Sequence, residues 1–141
     1  MKRLSILFFM LFLICSCSTM DKISENNITD KKNVLDGRKF KLVSIYPDMN
    51  ITIEFNDNKI SGFSAINRYS SLYEIDGDIF NVYNLITTLM SGPKDKMKAE
   101  YEYLNLLKDV TSYKIEGKKL TLYTVLSSNY LIFEEIWKEI I

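Results

Sequence analysis

Histidine is absent from all 141 residues, and cysteine occurs only at positions 15 and 17. Without an imidazole there is no Ser-His-Asp or Cys-His catalytic arrangement, no histidine-ligated zinc, and no side chain that ordinarily titrates near neutral pH. Both thiols lie in the leader described below. A mature chain that keeps only an acylated Cys17 has neither an internal disulfide nor a cysteine nucleophile. Basic charge is not in excess either: the 18 Lys and Arg balance 18 Asp and Glu, and losing Lys2 and Arg3 with a leader leaves 16 basic against 18 acidic side chains. That is no footprint for a polyanion, and nucleic acid is excluded as a partner class. Neither a metal nor a cofactor is expected.

What remains is a composition built to fold. The chain is 47% hydrophobic and 26% charged, with 9 Tyr and 8 Phe among many Ile, Val and Thr residues. Such residues fit a pleated, half-buried surface, so one small β-rich domain is the expectation.

The first residues, MKRLSILFFMLFLICSCSTM, combine Lys2 and Arg3 with an apolar run from Leu4 to Ile14. The run suits a signal h-region and is shorter than the roughly 20 residues that span hydrocarbon. Ile14-Cys15-Ser16-Cys17 offers an aliphatic residue three before Cys17 and a small one just before it, the pattern of lipoprotein processing. The expectation is therefore a signal peptide over 1–16 and lipidation of Cys17 by palmitate-type chains. Two or three such chains hold a protein on its bilayer for practical purposes permanently. The destination is the cell envelope, on the outer membrane or the periplasmic face of the inner membrane. Residues 17–33 are polar beyond the cysteine and read as a tether, with a reach of about 20–25 Å as a flexible coil. The domain is expected over 34–141.

Within it, Arg38 to Ile45 reads as a strand, and Asn50 to Phe55 alternates with Ile51, Ile53 and Phe55 on one face. Asn56-Asp57-Asn58, Asp76-Gly77-Asp78 and Glu116-Gly117-Lys118 are tight-turn signatures that imply three hairpins. Between the second and third, the period becomes helical: after Pro93, the residues Met97, Tyr101, Leu104 and Leu107 share a stripe. The predicted fold class is α+β, mainly β, with an antiparallel sheet curled into an open barrel around one amphipathic helix. Tyr130 to Phe133 is the closing strand. For Ile136, Trp137 and Ile140, three roles fit: packing on the barrel, meeting a partner, or touching a membrane. Glu134, Glu135 and Glu139 count against an anionic bilayer.

The order of elements and three stretches resemble the META domain, the family that includes HslJ-like heat-shock lipoproteins. They are Ile60-Ser61-Gly62-Phe63 with Asn67-Arg68-Tyr69 and Tyr73; Thr88 to Pro93 with Met97, Glu100 and Leu104; and Tyr113-x-Ile115-x-Gly117-x-x-Leu120-x-Leu122 running to Leu131-x-Phe133. The resemblance spans about Leu35 to Phe133. It implies a non-enzymatic role in envelope integrity or stress response. Where the family often has Gly-Cys and, later, a second cysteine, this chain has Ala65-Ile66 and Gly92. The joint loss is consistent with the two positions being paired in relatives.

No catalytic residue is assigned. Asn67, Arg68, Tyr69 and Tyr73 are the candidates for contacting a ligand or partner, such as an envelope protein or an apolar molecule. For each, a plainer reading stands beside it: Asn67 fixing a turn, Arg68 solvated, the tyrosines in the core. Met90 and Met97 read as core filler. Two rival functions are carried. One is a histidine-free hydrolase drawing on Asp76, Asp78, Glu54, Glu74 or Glu100. The other is a protease inhibitor acting through an exposed loop at Tyr69 to Leu72.

Overall fold

The structure is a computed structural model that describes residues 33–126 and 128–137. The signal segment, Cys17, the tether up to residue 32 and Ile140 lie outside the described residues. Eight strands follow in order: β1 (Lys39–Leu42), β2 (Thr52–Asn56), β3 (Lys59–Phe63), β4 (Arg68–Asp76), β5 (Ile79–Thr87), β6 (Val110–Glu116), β7 (Lys119–Thr124) and β8 (Tyr130–Glu135). One helix, α1 (Lys94–Lys108), separates β5 from β6, and a short 3-10 turn, Pro47–Met49, separates β1 from β2. No described helix is long and apolar enough to cross a membrane.

Every strand pairs antiparallel with its sequence neighbour, and β8 returns to β1. The α+β, mainly β class and the barrel with one helix are as the sequence implies. The sheet goes further and closes, which leaves no strand edge exposed along its whole length. Closure is thinnest at β5–β6, where Ile79 opposite Ser112 is the one register pair, supported by Tyr113 N–H donating to the Asp78 carbonyl at 3.1 Å. Beyond that point α1 lies against β5.

The strands form where alternation lets one face meet the interior. In β4, Tyr69, Ser71 and Tyr73 are buried while Arg68, Leu72, Glu74 and Asp76 are exposed. Rings fill the centre: Phe55 meets Phe40, Tyr73 and Phe80 edge-on with centroids 5.9, 5.3 and 6.2 Å apart, and Tyr73 stacks on Phe80 at 5.4 Å. Edge-on and offset rings add to the burial of their area. The hairpin turns are held by residues that tolerate positive φ, with Asp57 and Asn58 at 46° and 59° and Gly77 and Gly117 at about 60°.

The helix exists where the periodicity places it, but it buries a different face. Ala99, Tyr103 and Leu107 are buried, whereas Met97 and Tyr101 are 47% and 70% exposed. Met90 is exposed too, so neither methionine fills the core.

An even number of consecutive antiparallel strands sorts the connections by end. The tight turns β2–β3, β4–β5 and β6–β7 share one end with the chain entering at Asn33 and leaving at Trp137. The longer connections, including α1, share the other. Leu35, wholly buried, closes the hairpin end, while Tyr103 of α1 reaches Tyr69 and Phe133 from the other.

Candidate functional site

Two segments that look unrelated in sequence meet at the helix end. Residues 64–67 link β3 to β4, and Glu100 sits nearly two turns into α1 beside Ala99 and Tyr103. The Glu100 carboxylate accepts from the Ser64 hydroxyl at 2.6 Å, from the Asn67 amide N–H at 2.8 Å and from the Ile66 N–H at 3.3 Å, all on one oxygen. Its other oxygen accepts from the Asn67 side-chain amide at 2.7 Å. Burial opposes the charge, but these donors outweigh it, and the Glu100 pKa lies below the usual carboxylate value.

Asn67 continues the junction. Its Oδ1 accepts from the Thr88 hydroxyl and the Met90 N–H, both at 2.8 Å, and its amide also donates to the Met90 carbonyl at 3.1 Å. One side chain thus ties the β3–β4 loop, the β5–α1 loop and the helix. Ala65 pays for this turn with φ of 94°, outside the regions that L-residues favour.

The other sequence candidates separate. Tyr69 and Tyr73 face the core. The Tyr69 hydroxyl donates to the Thr52 carbonyl at 2.8 Å and lies 2.6 Å from the Tyr103 hydroxyl. Burial pushes both pKa values up. Tyr73 accepts from the Asn33 side-chain amide, and burial, with Asp36 nearby, raises its pKa to about 12. Arg68 is exposed on the outer face of β4, on a cleft of about 470 Å³ that also has Lys39, Glu54 and Phe63 on its walls. The four candidates therefore do not converge on one site: Asn67 belongs to the loop junction and Tyr73 to the core, while Arg68 and the largely buried Tyr69 share the walls of the 470 Å³ cleft.

A larger cleft, about 640 Å³, opens beside the helix and went unnoticed in the sequence. Ile45, Leu106, Tyr130 and Ile132 give it apolar walls, and Glu102 and Asn105 of α1 give it polar ones. At 100° per residue, Glu102 points to the flank of α1 away from Glu100. Its Oε2 accepts from the Tyr46 hydroxyl, and its Oε1 lies 3.7 Å from Lys98 Nζ. Nothing in the sequence marks this cleft, because its walls come from three separate connections.

Asp76 and Asp78 flank the β4–β5 hairpin tip and are exposed, as is Glu74. The Tyr69 to Leu72 stretch lies within β4, paired on both sides with β3 and β5, so it is not the exposed loop that an inhibitor needs. Among the described residues, no three His, Cys, Asp or Glu side chains converge as a metal site would require.

Comparison with known proteins agrees with this architecture. A solution structure of a protein from Burkholderia xenovorans is similar with a TM-score of 0.62 and 21% identity, covering 74% of this chain and 85% of that one. A crystal structure of a DUF4847-family protein from Bacteroides vulgatus is similar with a TM-score of 0.61 and 13% identity, covering 75% and 97%. At such identities the likeness concerns the fold. No curated protein matches the sequence significantly. The family model of the META domain matches residues 31–135, which takes in all eight strands and the helix. This chain belongs to the META domain family.

Proposed function

We propose that the chain is a lipid-anchored protein of the bacterial cell envelope, and that its META domain serves envelope integrity or the stress response by binding or supporting another component rather than by catalysis. The observation that carries the non-catalytic reading is the Glu100–Asn67 junction. The polar side chains that the fold draws together bond to one another and to the backbone, and no base or nucleophile is left facing solvent there. Among the described residues, each of these two clefts has a single carboxylate on its walls, Glu54 in one and Glu102 in the other. Acid/base cleavage of a glycosidic bond needs two, about 5–10 Å apart.

The anchor rests on the leader and Cys17. The test is intact-mass analysis of the mature N-terminus with membrane fractionation, followed by capture of the tethered protein from membranes. Diacylglyceryl and acyl mass on Cys17, and release of a Cys17→Ala variant from membranes, are expected. Unmodified, freely soluble native protein would overturn the anchor, and capture that returns neither protein nor lipid would count against the binding role.

A further inference from the structure

We propose that the 640 Å³ cleft beside α1 is a binding site for a small primary amine, with Glu102 holding the ammonium group and Leu106, Ile132 and Tyr130 receiving the apolar body. The proposal rests on the binding role above and gives it a ligand class. The volume lies within the roughly 300–1,000 Å³ typical of small-molecule sites. Its walls pair the apolar surface of Ile45, Leu106, Tyr130 and Ile132 with the polar groups of Ser44, Glu102, Asn105, Ser128 and Asn129.

Charge then selects the ligand. Glu102 is the one ionised side chain among the cleft's described walls, and neither lysine nor arginine joins it there. The Tyr46 hydroxyl donates to Oε2 and restrains the carboxylate. Lys98 approaches the other oxygen from the solvent side at 3.7 Å, with its own side chain 70% exposed. An exposed pair of that kind is worth little, so a ligand ammonium can displace it. The Asn105 side-chain amide has no partner among the described residues and offers both a donor and an acceptor to whatever enters. The other cleft differs: Lys39 and Arg68 share its walls with Glu54.

The test uses the full processed chain, isotope-labelled in non-ionic micelles, titrated with n-butylamine, 1-butanol and butyrate while amide shifts are followed. These probes share a body and differ in charge. The expected result is shifts centred on Ile45, Leu106 and Tyr130, with butylamine binding about three- to fivefold tighter than butanol and butyrate weakest. Glu102→Gln should reduce butylamine to the level of butanol, with the rest of the spectrum unchanged. Lys98→Ala, which removes only the competing ammonium, should tighten butylamine. Nα-acetyl-lysinamide separates the sources: tighter binding than butylamine points to a lysine side chain of a peptide, weaker binding to a free amine. Equal affinity for the three butyl probes, preference for butyrate, or no shift at the cleft would overturn the site. Because lipidation and membrane capture are measured separately, this failure would be distinguishable from failure of the anchor or of the binding role.

Discussion

Ile66 fills the space beside Gly92: a β-carbon on residue 92 would stand 2.7 Å from Ile66 Cδ1 and 3.1 Å from its Cγ1. These are the two positions at which the family resemblance leads one to expect cysteine, and the fold brings them into contact across the helix end. Ile66 occupies the space that a side chain at position 92 would need. Ile66→Cys with Gly92→Cys should therefore close a disulfide and stabilise the domain by about 3 kcal/mol. Non-reducing mass analysis and denaturant unfolding, with and without reductant, check this. Two free thiols after oxidation would show that contact at these positions does not extend to bonding geometry.

Ala65 holds φ at 94° within the turn that wraps the Glu100 carboxylate. Strain of that kind costs on the order of 1–3 kcal/mol, and glycine relieves it at a cost in unfolded-chain entropy of about 0.4–1 kcal/mol. Ala65→Gly should raise stability by about 1 kcal/mol, seen as a higher denaturation midpoint with unchanged slope. A lower midpoint would mean that the buried methyl group matters more than the strain.

Gly62 behaves in the opposite way. A β-carbon there would collide with the Thr52 carbonyl oxygen and stand 2.8 Å from the Tyr69 ring. The obstacle is backbone that also accepts the Tyr69 hydroxyl, so relaxation disturbs two strands at once. Gly62→Ala should destabilise by about 3 kcal/mol or more, placing it among the severe single substitutions. Thermal unfolding near that of the parent chain would refute the close approach.

Glu100 predicts a pH dependence. Its pKa is depressed in the folded state, so its contribution is fully present above the unfolded carboxylate value and is lost as pH falls through the lower folded one. Stability should decline below about pH 4.5. Glu135, paired with Arg38 at 2.8 Å, and Glu116, paired with Lys114 at 2.9 Å, share that direction, so the Glu100 part must be isolated. Glu100→Gln should flatten the acid limb while lowering stability at pH 7 by about 3 kcal/mol, since the donors of Ser64, Ile66 and Asn67 lose their charged acceptor. An acid limb as steep as that of the parent would place the titrating group elsewhere.

The hairpins were legible because their determinants are local. Asp57-Asn58, Gly77 and Gly117 tolerate positive φ whatever surrounds them. The buried face of α1 was not. The segment from Met97 to Leu107 contains two apolar stripes that share Leu107, the expected one through Met97, Tyr101 and Leu104 and another through Ala99 and Tyr103. Periodicity alone cannot choose between them. The loop at 64–67 chooses, because seating Glu100 among its donors turns Tyr103 inward to Tyr69. For the same reason Asn67 looked like a possible ligand contact. Its partners lie 21 to 33 residues away at Thr88, Met90 and Glu100, beyond any local signal. The one hint was that Asn67 and Glu100 both fall in the stretches that carry the family resemblance.

The even strand count also has a practical consequence. Trp137, 78% exposed beside Lys118, leaves the barrel where Asn33 enters it. A fluorophore or affinity handle fused after the last strand would therefore stand at the end where Asn33 enters and leave the opposite rim unobstructed. Opening the chain between β7 and β8 and joining Trp137 to Asn33 through a linker would preserve every strand neighbour, making the scaffold a candidate for circular permutation.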